Sequence, residues 1–162
     1  MYAGTYVSPV GELLLTCTDR GLTGIYMNRE VLIQQDEHPI LYRAKNWLDA
    51  YFRGENPAVD LPLVPEGTVF QQQVWNLLLE IPCGEFRTYG DIAREMATRT
   101  GKENMSAQAV GQAVGKNPIS ILIPCHRVVG AKGQLTGYAG GLDIKIRLLR
   151  HEGRKIENNI VR

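Results

Sequence analysis

The chain has 162 residues, of which 44% are hydrophobic and 22% charged, with a formal net charge of +1. That is enough apolar material for one domain or two small ones, at a charge content that excludes general disorder. No run approaches the ~18–20 apolar residues that span a bilayer, and Met1-Tyr2-Ala3-Gly4-Thr5 lacks the basic region and apolar core of an export signal.

Three scattered cysteines do not make a disulfide framework, so a reducing, cytoplasmic setting without a membrane is expected. The charge is unevenly spread. Residues 1–65 hold five basic and eight acidic side chains, a net of −3, whereas residues 66–162 hold thirteen and nine, a net of +4. A nucleic-acid-binding half would carry such a surplus, although so do many ordinary surfaces.

Tyr2 to Val7, Glu12 to Cys17 and Leu22 to Met27 are separated by the turn signals Ser8-Pro9-Val10-Gly11 and Thr18-Asp19-Arg20-Gly21. The pattern predicts a small antiparallel meander. Asp36-Glu37 supply an acidic helix start, after which Ile40, Leu41, Ala44, Trp47, Leu48 and Tyr51 recur at helical spacing until Gly54. Pro57, Pro62 and Pro65 then mark a linker. Two domains are expected, a sheet-plus-helix unit over 1–65 and a second unit over 66–162.

Thr68 is placed to cap a helix containing Phe70, Val74, Trp75, Leu77 and Leu78, which stops near Pro82-Cys83-Gly84. Thr88 is placed to cap another, Tyr89 to Ala97, with Asp91 in its first turn. A helix from about Ser106 to Gly115 follows a polar loop with Gly101. Ala107, Val110, Gly111 and Val114 share its packing face, leaving Ser106, Gln108, Ala109, Gln112 and Ala113 on the other side. Two short helices with small and polar residues on the second suit a helix-turn-helix, though two ordinary packed helices give the same pattern. Gly130-Ala131-Lys132-Gly133 predicts a tight turn, and Leu142 to His151 the last helix, packed through Ile144, Ile146, Leu148 and Leu149. Arg154 to Arg162 reads as a frayed tail.

The chemistry is concentrated in Asn117-Pro118 and the following run, where apolar Ile119 to Ile123 leads as a strand into Pro124-Cys125-His126-Arg127. A core-filling thiol needs no His and Arg beside it, whereas a reactive one does, because polarisable or positive neighbours favour the thiolate. No C-x2-C pair exists, and adjacent Cys125 and His126 are badly placed to share one tetrahedral ion. On a strand-like backbone their side chains point to opposite faces, so a turn or an intervening water is required for proton transfer. A carboxylate must orient the imidazole, and Glu152, Asp143 and Glu157 are all available.

Over residues 66–153 the chain resembles the O6-alkylguanine-DNA alkyltransferases. Pro124-Cys125-His126-Arg127-Val128 is similar to that family's acceptor motif and Asn117-Pro118 to the hinge before it. Tyr138-Ala139-Gly140-Gly141 resembles its active-site loop, Leu149 to Gly153 its closing motif, Thr88-Tyr89-Gly90 the start of its first recognition-motif helix, and Phe70 to Trp75 its opening helix. Residues 1–65 are similar to the family's N-terminal domain only in layout.

The resemblance implies an α+β fold, a small antiparallel sheet plus helix followed by a mainly helical domain with a helix-turn-helix. It implies a single-use DNA-repair reaction that moves an alkyl group from O6-alkylguanine in duplex DNA to Cys125, with O4-alkylthymine a further candidate. The recognition helix would enter the minor groove while the lesion is rotated out of the duplex. His126, positioned by Glu152, would take the thiol proton through a water, and Tyr89 would hydrogen-bond the departing guanine. The Ala139 N–H would donate to O6, the carbonyls of Cys125 and Val128 would accept from the exocyclic amine, and Tyr138 would belong to the substrate loop. Asn117 would brace the recognition helix, and Arg127 would be structural. Thr88, Ser106, Gln108, Ala109, Gln112 and Lys116 would face DNA. No diffusible cofactor is implied, Cys17 and His38 are too few for a metal site, and a monomer is expected. The alternative is a non-enzymatic alkyl-lesion sensor, but such relatives lack the acceptor cysteine. Two positions depart from the family's pattern: Gln108 stands where it usually has arginine, and Ala139 where serine is common.

Overall fold

Turns at Ser8–Gly11 and Thr18–Gly21 fold the first residues into three antiparallel strands, β1 (Tyr2–Ser8), β2 (Gly11–Thr18) and β3 (Gly21–Met27), in that order. The structure, a computed structural model, describes residues 1–27, 35–138 and 140–162. It divides into two units, one of Met1–Glu66 with Pro118–Leu122 and one of Gly67–Asn117 with Ile123–Arg162. The architecture is α+β, as expected.

In the first unit the register pairs Tyr2 with Cys17 and Leu15 with Ile25, with a bulge at Thr16/Cys17. Helix α1 (Pro39–Phe52) buries Ile40, Leu41, Ala44, Trp47, Leu48 and Tyr51, the six positions its spacing marks. Its start is not acidic. His38 caps it, Nδ1 accepting from the Ile40 N–H at 3.1 Å, and Pro39 takes the first turn, where a missing N–H costs nothing. Asp36 instead accepts from the Ala3 N–H at 2.9 Å.

The outer edge of β3 is met by two short parallel bridges, Leu22 with Leu63 and Ile25 with Ile119. They satisfy edge groups that would otherwise template association. The expectation of a strand over Ile119–Ile123 is corrected here. A single bridge forms, and Ile121 then turns left-handed at φ 74°. All residues from Ile119 to Val129 are buried, so the apolar character of Ile119 to Ile123 reflects burial rather than alternation in a sheet.

In the second unit, capping boxes of Thr68 with Gln71 and Thr88 with Asp91 start α2 (Val69–Leu78) and α3 (Tyr89–Thr100). Gly101, left-handed at φ 71°, ends α3, and Ser106 caps α4 (Ala107–Gly115). The Trp75 indole N–H donates to the Ala113 carbonyl at 2.8 Å, tying α2 to α4. The packing face of α4 is therefore rotated from the expected one: Val110, Ala113 and Val114 are buried, Gly111 is half-buried and Ala107 is exposed. Strand β4 (Arg87–Thr88) runs parallel to β5 (Val128–Val129), and α5 (Leu142–His151) has the predicted bounds.

The tail is not frayed. Strands β6 (Ile156–Glu157) and β7 (Ile160–Val161) form a hairpin through Asn158 and Asn159, both left-handed at φ 52° and 58°. Asparagine tolerates that conformation and suits a two-residue hairpin turn. Ile156 and Val161 are buried against Val129, Leu135 and Leu149. The signal was in the sequence, two asparagines between apolar residues. Among the described residues no helix is long and apolar enough to cross a membrane.

Candidate active site

Pro124 ends the enclosed run, and Cys125–Arg127 follow as one 3-10 turn rather than a strand. Three residues per turn set the side chains of Cys125 and His126 about a third of a turn apart. The turn is fixed from both sides: the Asn117 amide donates to the Ile123 carbonyl at 2.8 Å, and Arg127 Nη1 to the Ile81 carbonyl at 2.7 Å.

Glu152 closes the site from the end of α5, its side chain fully buried. Its Oε2 accepts from His126 Nε2 at 2.6 Å and from Arg127 Nη2 at 3.0 Å. Its Oε1 accepts from Arg127 Nε at 2.8 Å and from the Gly84 N–H at 3.3 Å. Of the three carboxylates the sequence left open, Glu152 meets the imidazole, while Asp143 and Glu157 are exposed. Burial alone would raise the Glu152 carboxyl, but His126 and Arg127 outweigh it and hold the group well below the usual carboxylate range. An ionised carboxylate only accepts, so Nε2 carries the imidazole proton and Nδ1 the lone pair. Nδ1 is buried and, among the described residues, has no hydrogen-bond partner. Burial also pushes the His126 pKa down, against the pull of Glu152, which keeps the ring neutral near pH 7.

Cys125 is buried, and burial pushes its thiol up. Hydrogen bonds with Asn117 and Tyr138 and the charge of Lys145 act in the other direction. Such a thiol is mostly protonated at neutral pH, so a base is required to release the nucleophile. Lys145, which no sequence motif marks, is part of this centre. It is 1% exposed, donates from Nζ to the Val128 carbonyl at 2.7 Å, and lies 5.9 Å from the Tyr89 ring centroid. Burial lowers its pKa to about 8, with the Cys125 sulfur opposing. The spacing of Lys145, Leu148 and Leu149 on α5 is itself the signal, since it puts the lysine on the packing stripe.

The thiol opens on a cavity of about 50 Å³ bounded by Tyr89, Gly111, Val114, Asn117, Tyr138 and Lys145. Tyr89 and Gly111 also line a neighbouring open cleft of about 910 Å³, which holds Thr88, Gln108 and Gln112 among its walls. Tyr89 thus stands between the cleft and the thiol, its hydroxyl 3.2 Å from that of Thr136. The small cavity falls well below the ~300–1,000 Å³ usual for small-molecule sites.

The remaining predicted residues are dispersed around this centre. Thr88 and Ser106 spend their hydroxyls on helix caps. Gln108 is exposed in the cleft, Ala109 is half-buried, and Lys116 lies just past α4, outside the cleft lining. The Val128 carbonyl already serves Lys145, with a second lone pair remaining. Ala139 lies outside the described residues. Among the described residues no group of three or more His, Cys, Asp or Glu is placed to hold a metal ion.

The family described as "6-O-methylguanine DNA methyltransferase, DNA binding domain" matches residues 69–154, and "6-O-methylguanine DNA methyltransferase, ribonuclease-like domain" matches residues 1–65. A methylated-DNA–protein-cysteine methyltransferase of Methanosarcina acetivorans is 46% identical over 94% of this chain and 99% of its own. One of Haemophilus influenzae is 41% identical over 94% of this chain and 86% of its own. The crystal structure of Mycobacterium tuberculosis OGT in complex with DNA superposes with a TM-score of 0.82 at 42% identity, covering 94% of this chain and 92% of that one.

Proposed function

The chain belongs to the 6-O-methylguanine DNA methyltransferase family, and from that membership we propose that Cys125 is the residue that accepts the alkyl group. The protein binds DNA and repairs it by direct transfer of an alkyl group to one of its own cysteines. The lesion is O6-alkylguanine in duplex DNA, reached from the minor groove by α4 and rotated past Tyr89 toward the thiol. Extrusion costs a few kcal/mol, less where alkylation has already weakened the pair.

The observation that carries the reading is the buried chain from Arg127 through Glu152 to His126, which ends on an Nδ1 unpartnered among the described residues, in the same turn that holds the thiol. A buried ring nitrogen without a partner costs about 1–3 kcal/mol. One water between Nδ1 and Cys125 would meet it and give the proton a path. The thiol proton passes to His126, and the thiolate attacks the alkyl carbon in line. The S–C bond forms as the C–O6 bond breaks, and its electron pair goes to guanine, which recovers the proton. Lys145 supports the thiolate while it is charged, and Tyr89 hydrogen-bonds the leaving base. The product is a thioether, so each molecule acts once, with no diffusible cofactor.

Three free cysteines make the assignment testable. Incubation with O6-methylguanine duplex should add one methyl group per protein, on the peptide holding Cys125, with no further turnover. A methyl on Cys17 or Cys83, or unmodified protein despite demonstrable DNA binding, would remove Cys125 from this role, the second result in favour of a lesion sensor.

A further inference from the structure

Helix α4 brings no cation to the cleft it borders. Gln108 and Gln112 are neutral, and Lys116 lies outside the lining. Two cations reach the cleft from other elements, Arg94 of α3 and Lys132 of the 3-10 turn Ala131–Gly133. Arg94 is paired with Asp91 at 2.5 Å. Lys132 is exposed and, among the described residues, has no side-chain hydrogen bond or ion pair.

The backbone of Lys132 is left-handed, φ 60° and ψ 21°, where glycine or asparagine sits with less strain. The loop around it is fixed. The Gly130 N–H donates to the Gln134 carbonyl at 2.7 Å, the Gly133 N–H to the Gly130 carbonyl at 3.1 Å, and the Leu135 N–H to the Asn159 carbonyl of the terminal hairpin at 2.8 Å. Gly133 sits so close to that hairpin that a Cβ there would come within 2.6 Å of the Val161 carbonyl oxygen. Among the described residues nothing uses the lysine head group, yet the strained position carries it. Strain kept at a solvent-facing position without a structural partner points to a ligand.

We infer that Lys132 contacts the phosphate backbone of bound duplex DNA and supplies, from a braced loop, the positive charge that α4 lacks at Gln108. This rests on the reading of the cleft beside α4 as the DNA-binding face.

The test measures binding of the full-length protein to a labelled O6-methylguanine duplex over a salt series. One lost phosphate contact should make the slope of log affinity against log salt shallower by about 0.9. Lys132→Asn should show that change and bind severalfold more weakly at low salt, with an equal or higher Tm because asparagine suits the backbone. Lys132→Arg should keep the parent's slope. An unchanged slope in Lys132→Asn overturns the inference, and so does an equal loss in Lys132→Arg, which would make shape the cause. Reaction of the parent with free O6-benzylguanine, which needs no DNA, checks the alkyl-transfer reading separately. If Cys125 stays unmodified while Lys132→Asn still flattens the slope, that reading falls and this one stands.

Discussion

Glu152 serves two neighbours at once: it orients His126 and neutralises a nearly buried Arg127. Glu152→Gln should therefore slow alkyl transfer by roughly 10²-fold or more, the scale of lost general-base support. It should also destabilise the fold by about 3–5 kcal/mol, because the guanidinium stays buried without its counter-charge. The stability difference has a definite pH dependence. A carboxyl held below its unfolded value contributes fully above the ordinary glutamate range near ~4.3 and loses that contribution as pH falls through and below it. The gap in denaturant stability between parent and variant should thus be constant from neutral pH down to about 5 and shrink below that. For catalysis, burial holds His126 below the ordinary ~6.5, so the transfer rate should stay level through neutrality and fall only on the acid side of that value. A rate that halves at or above the ordinary value would contradict a neutral, buried base.

At the scale of the elements, α4 displays what the sequence made legible and what it did not. Its cap at Ser106 and its length followed from local chemistry, as did the capping boxes of α2 and α3, because a cap is decided within four residues. Its packing face is not legible locally, since which residues face inward depends on Trp75 reaching the Ala113 carbonyl from 38 residues away. The same holds for the site. Cys125 and His126 announce themselves by adjacency, but the choice of Glu152 and the burial of Lys145 are made by tertiary contact. The hairpin at 156–161 is legible in Asn158-Asn159, against the frayed tail expected there. Gln108 remains exposed in the cleft, so its role in base extrusion is open to a direct measurement. Gln108→Arg should raise, and Gln108→Ala lower, the ratio of alkylation rates on duplex and on free O6-benzylguanine. A ratio constant across the three proteins would exclude Gln108 from extrusion.

On the scale of the whole molecule, transfer to Cys125, as proposed, would leave the product inside the fold. The thiol's cavity of about 50 Å³ is walled on one side by Gly111, Val114, Gly115 and Asn117, from α4 and the residues after it. A water's share of liquid is about 30 Å³, and a methyl group is of comparable size, so an S-methyl group has room. An S-benzyl group does not, and overpacking of this kind costs about 1–3 kcal/mol. The methylated protein should keep nearly the parent's Tm, while the benzylated protein should melt on the order of 2–10 °C lower. Equal melting of the two would show that the walls yield freely. If they do not, the spent molecule is a gauge of the lesion it removed. A protease that samples transiently opened chains could then sort used copies by adduct size without recognising the adduct itself.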